Sequence, residues 1–286
     1  MELLNKFLIK PLKIIYQNKV GFIGFLIVIF YVLMAVIGPL FIPLDKSPKP
    51  ELMYQPPTWE HPLGTDYEGR DILSQIVHGS RDVLYVAFLA GFLTVLIATL
   101  LGSFSGFKGG KWDFLIMAVA DILLTIPQFP LLSVLAAVMR LDYTFLAVLI
   151  SVLSWPTLAR AIRSQVLSLK ERDFIEAARA LDLGTRHIIF TEMMPNLMPY
   201  IAINFIFAMT GAIYTQVGLV FLGFVPFVSH NWGVMINIAW TKGAIFYKQS
   251  IYYILSPIMA IVGFQLGAIL FSRSLEEIFN PRLREE

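Results

Sequence analysis

The chain contains no cysteine, which excludes disulfides and thiolate metal sites and leaves the redox compartment unread. It is also poor in charge. Of its 286 residues 15% are Asp, Glu, Lys or Arg, where a soluble domain carries roughly 25%. With 57% hydrophobic residues, a shortage of that size points to lipid as the solvent. Low-complexity tracts, internal repeats and a linker to a soluble domain are missing too, so a single membrane domain is expected. His61, His78, His187 and His230 have no ligand spacing, which leaves no zinc site to argue for, and no nucleophile elbow is present. The stretch 106–111 looks superficially like a phosphate loop. Ser105 stands where its first Gly belongs, and Trp112 replaces the magnesium-binding hydroxyl residue, so no nucleotide site is encoded.

What is present is a set of uncharged runs: 20–44, 83–107, 143–159, 197–225 and 249–272, with 114–139 broken only by Asp121. Crossing a bilayer takes about 20 apolar residues. The expectation is an all-α membrane protein with six transmembrane helices, of which 143–159 is the shortest. Ahead of them, residues 1–19 read as a basic amphipathic lead-in on the inner membrane surface, with Leu3, Leu4, Phe7, Leu8, Leu12 and Ile15 as its apolar side. The first run is too long for a signal peptide and lacks a cleavage site, so an uncleaved first helix is expected. With the N-terminus inside, inner segments hold fifteen Lys and Arg and outer segments seven. That bias predicts cytoplasmic termini, including a tail from 273 to 286. Two outer segments remain, 43–82 and 226–249. The first is proline-rich and therefore extended; in the second, Trp232 and Trp240 suggest an interfacial or re-entrant helix.

One long polar island, 160–196, separates the fourth and fifth runs. Asp173 and Glu176 read as a capping box, and Phe174, Ala177, Ala178 and Leu181 fall on one helical face. Gly184 is expected to end that helix in the left-handed conformation, Thr185 to cap a second helix from 186 to 194, and Pro195-Asn196 to close the island. A DNA-binding helix-turn-helix is set aside: the basic count is modest and both ends are tied to membrane spans. No nucleic-acid partner is expected.

These residues carry a resemblance. Glu176-Ala177-Ala178, with Pro195-Asn196 beyond it, resembles the EAA loop of ABC-importer permeases. His61-Pro62-Leu63-Gly64-Thr65-Asp66 with Gly69-Arg70-Asp71 is similar to the outer-segment signature of the peptide/nickel permease family. Asp121 with Pro127, Phe221-Leu222-Gly223 before Trp232-Gly233, and the tail from Leu275 to Arg282 follow in that family's order. The chain is identified as a member of the DppC/OppC-type group, over nearly its whole length. The resemblance implies the type I ABC-importer permease fold and a coupling loop whose short helices dock on an ATPase subunit. Glu176, Ala177, Ala178, Arg179, Asp182, Gly184, Pro195 and Asn196 are its candidate coupling residues. Three departures stand out: Asp182 replaces the family's turn glycine, Glu192-Met193-Met194 replaces His-Ile-Leu, and Met117 to Ala120 lack the basic residue usual before the third-span Asp.

Asp121, as the only ionisable residue inside an expected span, needs a partner or a wet cavity. It is read either as pathway or gate lining or as a salt bridge to a companion permease. Asn204, Thr210, Thr215, Gln216 and Gln265 are candidate pathway residues, with interhelical hydrogen bonding as the alternative for each. Pro127 and Pro130 are expected to kink span three. For His61, Gly64, Asp66, Gly69, Arg70 and Asp71 a structural role is favoured over substrate or metal binding, with Asp66 and Asp71 tying the loop. The resemblance implies a non-enzymatic permease, half of a heterodimer driven by two ATPase subunits that bind ATP and Mg, and fed by an extracytoplasmic binding protein. Oligopeptides or dipeptides are the leading substrates, nickel chelates and oligosaccharides the alternatives. The rival from another class is a membrane-embedded enzyme, for which Asp121 alone supplies no catalytic dyad.

Overall fold

The computed structural model describes residues 15–44, 46–139, 142–224 and 230–279. Most of the amphipathic lead-in and the last residues of the tail, including Asn280, Pro281 and Arg282, lie outside the described residues. Among the described residues the architecture is helical. Helix α1 is Lys19–Val36, capped by Asn18, whose side chain accepts from Gly21 N at 2.7 Å and also donates to Glu277. A short turn of helix, Gly38–Phe41, continues it.

Helix α2, Ile72–Lys108, starts well before the uncharged run at 83. Asp71 is its N-cap, accepting from Ser74 N at 2.7 Å, so the extended part of the first outer segment is shorter than expected. Span three is broken, not merely kinked: α3 (Gly110–Thr125) and α4 (Gln128–Val138) meet at 77°. Pro127 forces Ile126 into extended geometry, φ −90° and ψ 123°, as a residue before proline prefers. Pro130 sits in the first turn of α4, where its missing N–H costs nothing.

Helix α5, Tyr143–Lys170, runs past Ala159 into the polar island. It is followed by the short α6, Asp173–Ala180, and by α7, Thr185–Phe221, a continuous 37-residue helix. Helix α8, Trp232–Thr241, is a short buried element capped by Asn231, and α9 is Ile251–Phe279. Among the described residues five single helices, plus the bent α3–α4 pair, are long and apolar enough to cross a membrane.

Small residues set the closest packing. A Cβ on Gly102 would fall 2.5 Å from the Ala159 carbonyl oxygen, and one on Gly106 would fall 2.9 Å from that of Arg163. The α2 and α5 backbones therefore touch along a Gly-x3-Gly stripe, the device that dispersion-driven packing in lipid requires. Apolar side chains then gather at two ends of the bundle: Tyr31, Trp232, Tyr253 and Phe264 at one, Trp155, Ile162, Ile175 and Met193 at the other.

Candidate functional site

The element expected to couple to a partner is α6 together with the start of α7. The N-cap of α6 is Arg172, not Asp173, so no capping box forms: Ile175 N and Glu176 N both donate to the Arg172 carbonyl, at 2.9 and 3.2 Å. Asp173 and Glu176 instead lie in the first turn, where a carboxylate favours the positive end of the helix. The buried face is also different from the expected one. Ile175 and Ala178 point inward onto Val166, Ile188 and Met193. Phe174, Ala177 and Leu181 point outward, Leu181 at 73% exposure. Of the expected stripe only Ala178 is covered, and Phe174, Ala177 and Leu181 are left exposed.

The turn stays at Asp182. Its φ is +54°, while Gly184 is extended at φ −59° and serves as N-cap of α7, with Thr185 its first residue. Leu183 N donates to the Ala178 carbonyl at 3.1 Å and Asp182 N to that of Arg179 at 2.9 Å. These two bonds make a Schellman closure, in which a left-handed residue turns the chain back over the helix end. Asp tolerates that geometry better than most side chains. Gly184 therefore does not take over the turn. Arg179 lies over the Phe107 ring, 5.4 Å from its centroid, and so ties α6 to the end of α2.

Pro195 and Asn196 do not close a loop; they lie inside α7. The segment Ile188–Met193 is a π-helix, wide enough to absorb a proline that removes one i→i−4 bond. The Asn196 amide donates to the Glu192 carbonyl at 2.9 Å. Helix α7 thus passes from the α6 turn to the middle of the bundle without a break.

There it lines a concavity of about 340 Å³. Asn204 and Thr215 are on its wall, together with Thr94 of α2, Gln128 of α4, and Ser154 and Thr157 of α5. Gln128 Nε2 donates to Ser154 Oγ at 2.7 Å. Gln216 and Gln265 are not part of it. Both are buried among helices, 0% and 5% exposed, and Gln265 donates to the Thr210 carbonyl at 3.3 Å. The helical period explains the division: 204, 208, 211 and 215 fall on one face of α7, whereas 210, 213 and 216 fall on another. Thr94, Gln128, Ser154 and Thr157 were missed because each is a small or uncharged polar residue that adds no charge to its run. The signal was available in the i, i+3 spacing of Ser154 and Thr157.

Asp121 has its partner within the chain: Arg160 of α5 donates to it. Nearer the end of α3, Arg163 donates to Asp113 through Nε and Nη2, both at 2.5 Å, and Ser105 Oγ also reaches that carboxylate. The ion pair is formed within the chain, between two spans. Antiparallel α3 and α5 bring Arg160, which the sequence placed outside the span, level with it. The pair is nonetheless open, with Arg160 48% and Asp121 60% exposed, on a concavity of about 600 Å³.

The 49–71 segment is stitched differently. Asp66 is fully buried and accepts from Glu68 N at 2.8 Å, Arg70 N at 2.9 Å, Arg70 Nε at 2.8 Å and Gln75 Nε2 at 2.9 Å. Burial works against the Arg70 charge, but the Asp66 and Glu68 carboxylates outweigh it and hold the guanidinium pKa above its ordinary value. His61 Nδ1 lies 3.2 Å from Asp71. Gly64 and Gly69 both have φ +77°, and a Cβ on Gly69 would lie 1.9 Å from the Lys49 carbonyl oxygen. Tyr67 packs between Arg70 and Lys242, 5.4 and 5.3 Å from its ring centroid, and so joins the segment to the end of α8. Among the described residues no cluster of His, Asp and Glu could hold a metal.

Comparison with known proteins places these features in a family. Residues 98–285 match the family described as binding-protein-dependent transport system inner membrane component, and residues 12–57 match the N-terminal transmembrane domain of oligopeptide transport permease C. The chain is 30% identical over 271 residues to the oligopeptide transport system permease protein OppC of Bacillus subtilis, covering 94% of this chain and 88% of the relative. A putative peptide permease protein of Brucella suis is 33% identical over 270 residues, 93% and 88% of the two chains. The dipeptide transport system permease protein DppC of Bacillus subtilis is 32% identical over 226 residues, 77% and 70%. The chain is a multi-pass membrane protein of the type I ABC-permease fold and belongs to the family of binding-protein-dependent transport system inner membrane components.

Proposed function

We propose that this chain is the permease subunit of an ATP-driven importer of oligopeptides or dipeptides in the cytoplasmic membrane. Both termini and α6 face the cytoplasm. A homologous permease completes the translocation path, two ATPase subunits supply ATP and Mg, and an extracytoplasmic binding protein delivers the peptide. The observation that carries this reading is the continuity of α7. One end follows the Schellman turn of α6, whose outward Phe174, Ala177 and Leu181 offer a face to an ATPase. Farther along, the same helix presents Asn204 and Thr215 to the polar concavity. Movement of α6 on ATP binding therefore reaches the pathway along one continuous helix. Glu176, Arg172 and the exposed end of Asp173 surround the docking face with charge, which favours register on the partner over raw affinity.

The test is reconstitution in liposomes with the companion permease, both ATPases and the binding protein. ATP-dependent accumulation of labelled di- or oligopeptide is the expected result. A complex that assembles and hydrolyses ATP but accumulates no peptide overturns the substrate assignment. A chain that brings down no ATPase on purification overturns the whole reading.

A further inference from the structure

A groove on the lipid-facing side of the bundle carries features of a bound phospholipid site. It encloses about 550 Å³ between α1, α2, α7 and α9. Val28 of α1, Leu40 of the turn that continues it, and Arg81, Tyr85 and Phe88 of α2 form its walls, over a floor that includes Phe264. From Val28 to Leu40 the chain rises about 18 Å at 1.5 Å per residue. That is the depth of one leaflet of a bilayer whose hydrocarbon core is about 30 Å thick. The groove is apolar along that depth, with Leu40 81% and Phe88 56% exposed.

Its one charge stands at the mouth. Arg81 precedes the uncharged run 83–107, which puts the guanidinium at headgroup level. It is exposed, and among the described residues it makes no ion pair. The neighbouring Asp82 lies 3.6 Å from His230 and also feels the Arg81 charge. A second apolar groove, about 530 Å³ along α2 and α7, is lined by Phe, Leu, Met and similar residues with no charge at all. Nothing there selects an occupant. The difference is the cation, which an anionic phosphate complements and an apolar helix does not.

We propose that this groove holds a glycerophospholipid of the leaflet nearer the proline-rich segment, its phosphate on Arg81 and one acyl chain along Val28 to Leu40. The ligand acts as a wedge between α1 and the central helix α2.

The experiment is native mass spectrometry of the assembled transporter, extracted from membranes and stripped stepwise with detergent, then titrated with phosphatidylglycerol. Wild type should retain one phospholipid per copy of this chain. Arg81→Gln should weaken retention about fivefold, the factor one cation carries near an anionic surface. Val36→Trp, a change at a 69% exposed groove position that leaves Arg81 in place, should exclude the lipid by filling its path. Equal retention in wild type and both variants overturns the proposal. So does a photo-crosslinking residue at position 36 that labels a polypeptide instead of phospholipid.

Discussion

Residues 49–71 and residues 171–196 are both polar stretches between apolar helices, yet their charges are placed in opposite ways. In the first, Asp66 is fully buried and Arg70 nearly so, and one carboxylate takes four donors. In the second, Arg172, Asp173 and Glu176 are exposed, and the helix is held by only two inward side chains, Ile175 and Ala178. A buried ion pair whose carboxylate takes four donors fixes one geometry, because any other arrangement strands a charge. An exposed charged face over a small apolar footing leaves its charges free for a partner. The first segment is a frame, the second is proposed as a contact, and substitutions should separate them.

The largest effect is expected at the frame. Asp66→Ala leaves the buried Arg70 with Glu68 as its one remaining carboxylate partner and should cost about 3 kcal/mol, read as a lower thermal midpoint of the purified complex. Acidification should act on the same end of the molecule. Burial, with help from His78 and Lys46, pushes the His230 pKa down to about 4 from 6.5. The folded chain thus binds a proton less readily than the unfolded one. The His230 contribution is neutral above pH 6.5 and turns destabilising as pH falls from about 6.5 to 4. Asp82, 3.6 Å away, is the acid positioned to soften that loss. Thermal midpoints measured across this window should fall, and His230→Gln should flatten the fall.

Smaller effects are expected toward the contact. Reversing either member of the exposed Asp121–Arg160 pair should cost about 1 kcal/mol, and reversing both together should restore most of it; a double-mutant cycle on unfolding midpoints checks this. Smallest is Asp182→Gly. Gly relieves the +54° φ and loses part of the gain to the entropy of the unfolded chain, for a net stabilisation of roughly 0.5 kcal/mol. The midpoint should rise slightly with uptake unchanged.

The sequence made the spans legible because lipid demands long uncharged runs, and 20–44 or 249–272 could be nothing else. It did not reveal where helices outrun the membrane. Residues 160–170 and 185–196 are polar, yet they extend α5 and α7, since helical hydrogen bonds continue in water as well as in lipid. The site was legible in its residues and less so in its faces. Phe174, Ala177, Ala178 and Leu181 share one helical face, yet only Ala178 is buried, since an exposed apolar stripe has the same period as one turned to the core. Asp121 found a partner in Arg160 that lies 39 positions away in the chain, a pairing set by antiparallel packing and invisible to local spacing. Gln216 and Gln265 lie among helices and off the concavity for a similar reason. In an apolar helix a polar residue marks either a pathway or a helix contact, and only the rotation of the helix decides which.

The central proposal is that α6 transmits ATPase movement through α7. Glu176→Lys in the reconstituted transporter tests it most directly, because the Glu176 side chain is exposed to solvent. Thermal stability should stay within about 0.5 kcal/mol of wild type. ATP hydrolysis should persist while peptide accumulation per ATP falls at least about tenfold, a loss of about 1.4 kcal/mol in coupling. Wild-type accumulation per ATP in that variant would contradict the account.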